Sequence, residues 1–260
     1  MADRRALLAW GAVGVPLALL GVLGVEAWLA ANAEYLPDEP GYVLESRVAA
    51  ASGAADGPAV RLVVLGDSTA AGVGSPTLAE SLPVQVAQRL ADDLGRPVDV
   101  TGLGVSGART IDVRDEQIPM LVDRGVDAVL IVIGSNNVTH ATSPSAMAEQ
   151  TRGMLRAARR NAGEAAIVLG GIPLFGSADA LAQPLRLLVD TYARVLRRVQ
   201  RDTAAEEGVR FVNIAVEASP RFAGVPQAMS SDGFHPAPVG YGFWADALAP
   251  ALAAELRSTG

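Results

Sequence analysis

From Ala59 onward the chain alternates short apolar runs with longer helical stretches, and this alternation leaves few folds open. The apolar runs cover residues 61–66, 97–101, 127–133, 166–170 and 209–213. Their aliphatic character suits strands buried on both faces. Helical stretches lie at 78–94, 110–122, 146–160, 182–207 and 239–257. Strands separated by helices imply a parallel sheet covered on both sides. Five of them predict a flavodoxin-like, three-layer α/β/α domain over residues 59–260 with a five-stranded parallel sheet. Such sheets bind ligands at the carboxyl ends of their strands.

The loops at those ends carry the chemistry. After the first strand come Gly66, Asp67 and Ser68; after the second, a glycine-rich loop at 102–109 that includes Gly107. The third is followed by Gly134, Ser135, Asn136 and Asn137, and Asp232, Gly233, Phe234 and His235 precede the last helix. Singly, each has a plain structural reading: a serine after a strand often caps the next helix. Together they supply what acyl transfer to water requires. A serine hydroxyl is a poor nucleophile until a base takes its proton. His235 can be that base, with Asp232 three residues earlier orienting the ring. The Ser68 N–H, the Gly107 N–H and the Asn136 side-chain amide are candidate donors to a tetrahedral oxyanion.

Composition removes competing chemistries. There is no cysteine and no lysine, and only two histidines, His140 and His235. Thiol catalysis, Schiff bases, disulfides, P-loop phosphate binding and a multi-histidine metal site are therefore not expected, and neither a cofactor nor a metal is. A net charge of −7 argues against a nucleic-acid partner. Residues 102–107 formally read G-x-G-x-x-G, but no acid ends the following strand to hold a ribose. There is no G-x-S-x-G elbow.

The four loops, in this order, resemble the blocks of the SGNH hydrolases, the GDSL esterase/lipase superfamily. Ser68 matches the block I serine, Gly107 the block II glycine, Asn136 the block III asparagine, and Asp232 with His235 the block V Asp-x-x-His. One position departs: Asn137 stands where the family usually has aspartate. The resemblance implies metal-independent ester hydrolysis of the esterase, lipase or lysophospholipase kind, with a lipid, glycan or other small ester as substrate. Carbohydrate O-deacetylation, acyl transfer and a silent binding module on the same fold are the alternatives. Phe175, Phe222, Met229 and Phe234 are candidates for an apolar substrate pocket.

The amino terminus reads differently. Arg4 and Arg5 precede an uncharged apolar run at 6–25, about the length that spans a bilayer. The expectation is a signal-anchor over 1–33 with the catalytic domain outside the cell membrane. Cleavage after Ala33, giving a secreted enzyme, is the alternative. Residues 34–58 read as a flexible linker. His140, Arg109 and the arginines of 182–207 read as solvated, with His140 near the site entrance as an alternative.

Overall fold

The structure is a computed structural model and describes residues 4–51, 58–122 and 124–259, with side chains from residue 18 to 258. Six strands, β1 (Glu45–Val48), β2 (Val60–Gly66), β3 (Val98–Gly102), β4 (Ala128–Val132), β5 (Ala166–Gly170) and β6 (Arg210–Val212), form one sheet in the order β1-β3-β2-β4-β5-β6. Strands β2 to β6 run parallel, in the flavodoxin-like order.

The sheet is mixed rather than five-stranded and parallel, because β1 pairs antiparallel with β3, Glu45 opposite Thr101 and Val48 opposite Val98. The linker expected at 34–58 therefore contains a strand. Its sequence, Glu-Ser-Arg-Val, buries only Val48, too little apolar pattern to announce itself. Pairing with β3 holds it instead. The carbonyl of Leu44 accepts from the Gly102 N–H at 2.9 Å, and Arg47 meets Asp99 across the strands at 3.2 Å. Residues 52–57 of that linker lie outside the described residues.

Alternation along the strands divides the core. Leu62, Val64, Val100, Leu130 and Val168 face α3 (Leu82–Leu94) and α9 (Pro238–Thr259), against Val86, Leu90, Trp244, Leu248 and Leu252. Val63, Leu65, Val129, Ile131 and Leu169 face the other side, against Met154 and Leu155 of α6 (Pro144–Ala162) and Ala204 of α7 (Leu185–Glu206). The period of two places successive side chains in opposite layers.

The helix expected over 110–122 is a composite: a short turn α4 (Thr110–Asp112), a π-turn Val113–Gln117 and a 3₁₀ turn Ile118–Leu121. Pro119 lacks the N–H that a continuous helix would use there.

The apolar run at 6–25 is helical within α1 (Arg4–Ala31). Among the described residues, no helix is long and apolar enough to cross a membrane. The side chains of 6–17 lie outside the description. The C-terminal end of α1 docks on the domain. The buried Glu26 carboxylate accepts from the Leu185 N–H at 2.8 Å, at the start of α7, where the helix dipole favours an anion. Ala30 packs beside Leu185 and Val189.

Candidate active site

The loop that bears Ser68 is built by Gly66. Its φ is +150°, and a Cβ there would overlap the Val132 carbonyl, so β2 passes close against β4 only with glycine. Asp67 then caps α2 (Ser68–Ala71), its Oδ1 accepting from the Thr69 N–H at 3.1 Å and the Thr69 hydroxyl at 2.9 Å.

Gln117 holds this loop from the opposite layer. Its Oε1 accepts from the Gly66 N–H at 2.9 Å and its Nε2 donates to the Gly66 carbonyl at 2.8 Å. No sequence motif marks Gln117; only the π-turn aims it there. Replacing it with leucine strands the buried Gly66 N–H, a cost of about 1–3 kcal/mol. Denaturant unfolding of Gln117→Leu should show that loss, and wild-type stability would refute the role.

Asp232 and His235 lie on a tight loop. Asp232 Oδ1 accepts from the Phe234 and His235 N–H groups at 2.9 and 3.0 Å. Its Oδ2 lies 2.6 Å from His235 Nδ1. The imidazole then meets Ser68, with Nε2 3.0 Å from Oγ. Burial alone would raise the Asp232 carboxyl, but the hydrogen bonds from His235 and Phe234 outweigh it and hold the group below the usual carboxylate range. A carboxylate so held presents one oxygen to Nδ1, fixes the ring, and leaves Nε2 facing the hydroxyl.

Gly107 and Asn136 border the same groove as Ser68 and His235. Gly107 has φ +79°, with open space where a Cβ would be, so its backbone conformation, rather than crowding, asks for glycine. Asn136 lies in the first turn of α5 (Ser135–Thr139) and donates from Nδ2 to the Ala108 carbonyl at 3.0 Å. That bond ties the amide to the Gly107 loop and sets its plane. Behind it, Asn137 is fully buried. Its Oδ1 accepts from the Thr110 N–H and hydroxyl, at 3.0 and 2.9 Å, and its Nδ2 donates to Thr142 Oγ1 and Gln150 Oε1, at 3.2 and 3.1 Å. All four positions of the amide are used, which accounts for asparagine where the family usually has aspartate.

Phe175, Phe222, Met229 and Phe234 all line one cavity with Ser68 and His235, joined by Leu174 and Trp244. His140 is exposed at the groove's edge, its Nδ1 2.8 Å from the Asn136 carbonyl oxygen. Arg109 pairs with Asp112 at 3.4 Å, as a surface residue should. The arginines of 182–207 are mostly on the solvated face, but Arg197 is not. It is buried, and its guanidinium donates to the Ile172 and Pro173 carbonyls at 2.6 Å each. Three residues on, Gln200 bonds the Ile172 N–H at 3.2 Å and the Ile133 carbonyl at 2.9 Å. Together they hold the ends of β4 and β5 beside the cavity. In sequence both are simply polar residues of a long helix.

Asp67 is buried against this site, and burial pushes its carboxyl above the ordinary value. A raised folded pKa means the folded state keeps the proton to higher pH than the unfolded chain does. Asp67 then opposes folding at neutral pH, and the penalty fades as pH falls through its folded pKa. Asparagine keeps an acceptor for Thr69 without the charge. The melting temperature of Asp67→Asn should exceed wild type near neutral pH, with the gap closing towards about pH 4. Melts giving a gap independent of pH would refute this.

A family model for GDSL-like lipases and acylhydrolases matches residues 64–243. A GDSL-like esterase of Mycobacterium tuberculosis (strain ATCC 25618 / H37Rv) is 31% identical over 195 residues. That match covers 74% of this chain but 62% of the relative, less than two thirds of its length. Among solved structures, phospholipase A1 from Streptomyces albidoflavus NA297 is similar with TM-score 0.56 at 21% identity, covering 76% of this chain and 100% of that one. The acetylxylan esterase Axe2 from Geobacillus stearothermophilus is similar with TM-score 0.57 at 20% identity, covering 77% and 95%. Likeness at these identities speaks for the fold. The family match encloses all four loops of the site, and the chain belongs to the GDSL-like lipase/acylhydrolase family.

Proposed function

We propose that the protein hydrolyses carboxylic esters with Ser68 as nucleophile, His235 as base and Asp232 as the group that orients it. The observation that carries this reading is the imidazole held between a carboxylate at 2.6 Å and a serine hydroxyl at 3.0 Å. Ser68 Oγ attacks the acyl carbon while His235 Nε2 takes its proton. The Ser68 and Gly107 N–H groups and the Asn136 amide receive the oxyanion. The intermediate collapses as His235 returns the proton to the leaving alcohol. Water repeats the sequence on the acyl-enzyme and frees the acid.

The size of the site narrows the substrate. The narrower cavity beside Ser68 holds about 50 Å³, room for a few water-sized groups. The open groove towards Leu185 and Val189 holds about 480 Å³. This supports a short acyl group in the cavity and a larger alcohol part, such as a glycan or lipid fragment, in the groove. A fluorophosphonate probe should label Ser68. p-Nitrophenyl acetate and butyrate should be turned over faster than octanoate or dodecanoate. A preference for the long chains would overturn the acyl assignment, and no labelling at Ser68 would favour a silent binding module. Location is proposed from Arg4, Arg5 and the apolar run at 6–25, which support a domain outside the cytoplasmic membrane. A mature chain starting at Glu34 would mean release after cleavage.

A further inference from the structure

The segment between α1 and β1 carries no motif, yet it touches two of the four site loops. The Leu36 N–H donates to Asp232 Oδ2 at 3.3 Å, the same oxygen that faces His235 Nδ1. The Tyr35 ring stands edge-on to Phe234 at 5.4 Å, and Phe234 stands edge-on to His235 at 5.3 Å. Two residues after Leu36, Asp38 Oδ1 accepts from the Ser106 hydroxyl at 2.6 Å, next to Gly107. The segment is held at both ends. The Tyr35 hydroxyl donates to the Ala30 carbonyl at 2.7 Å, and the Tyr42 hydroxyl donates to the Gly72 carbonyl at 3.0 Å.

We propose that residues 35–38 form a strap that completes the active site, with Leu36 and Asp38 as its positioning residues. The inference rests on the esterase reading of Ser68, His235 and Asp232. Asp232 is a useful orienting group only if its carboxylate cannot turn. Two N–H groups of its own loop fix Oδ1. Oδ2 has His235 on one side, and the strap supplies the second donor through the Leu36 backbone. Asp38 meanwhile ties the Gly107 loop to the same strap, so the base and one oxyanion donor share one support. Both residues border the open groove, but the contribution proposed for them runs through the groups they hold, Asp232 and the Gly107 loop.

The test uses the full-length chain. Leu36→Pro removes the N–H and keeps an apolar side chain. It should lower kcat on p-nitrophenyl acetate about ten-fold, as expected for loss of a hydrogen bond to a charged group, with KM nearly unchanged. Fluorophosphonate labelling of Ser68 should slow in parallel, with the melting temperature close to wild type. Asp38→Ala should lower kcat a few-fold, and Asp38→Asn, which still accepts from Ser106, should restore it. Glu34→Gln, an exposed neighbour, is the control. Wild-type kcat in a folded Leu36→Pro chain overturns the proposal, as does an Asp38→Asn variant no better than Asp38→Ala. Ser68→Ala separates the two readings. If it retains hydrolysis, the esterase assignment falls. If it is inactive while the strap variants keep full kcat, the strap alone is wrong.

Discussion

Ser68→Ala and His235→Ala should each abolish ester turnover in a chain that still folds, with losses on the order of 10⁶ in kcat. In the proposed mechanism the two residues act as one unit: without the base the hydroxyl keeps its proton, and without the hydroxyl the base has nothing to activate. Either loss should therefore cost about as much as both. Neither should unfold the protein, because Ser68 sits on a loop held by Gly66, Gln117 and Asp67, and the His235 loop is pinned by its own backbone. There the Ser230 N–H meets the His235 carbonyl at 2.9 Å and the Gly233 N–H meets the Ser230 carbonyl at 3.0 Å. Purified variants assayed beside wild type, with circular dichroism to verify folding, decide the matter. Retention of most activity in either variant would remove the mechanism.

Asn136→Ala should lower kcat by roughly 10²–10³ while KM changes little. The amide is already oriented before substrate arrives, through its bond to the Ala108 carbonyl. It therefore needs no rearrangement as charge develops on the carbonyl oxygen, and its contribution falls in the transition state rather than in binding. Truncation also frees the Ala108 carbonyl and loosens the loop that bears Gly107, so two of the three proposed oxyanion donors suffer together. A rise in KM with unchanged kcat would instead assign Asn136 to substrate binding.

The candidate site residues and the residues that steady them differ in legibility. Ser68, Gly107, Asn136, Asp232 and His235 stand out in the chain because each lies just after a strand or just before a helix, where a parallel sheet exposes side chains at one rim. The residues that steady them do not stand out. Gln117, Arg197 and Gln200 look like polar positions of ordinary helices, and only their docking against Gly66, Ile172 and Ile133 shows what they hold. The strap at 35–38 is less visible still, since its contribution to Asp232 is a backbone N–H, which every residue but proline possesses.

The sequence by itself determined the parallel core, because continuous apolar runs alternating with helices have few other ways to bury both faces of a sheet. It also singled out the proposed reacting groups, Ser68, Asp232 and His235, by their chemical types at the ends of those runs. The tertiary structure alone decided that residues 45–48 are an edge strand and that α1 ends by docking its Glu26 on α7. It alone decided, too, that 35–38 lies across the site. These contacts join residues far apart in the chain through backbone groups and single polar atoms. Such partners leave no periodic trace in the sequence, because their energy comes from who is met in space.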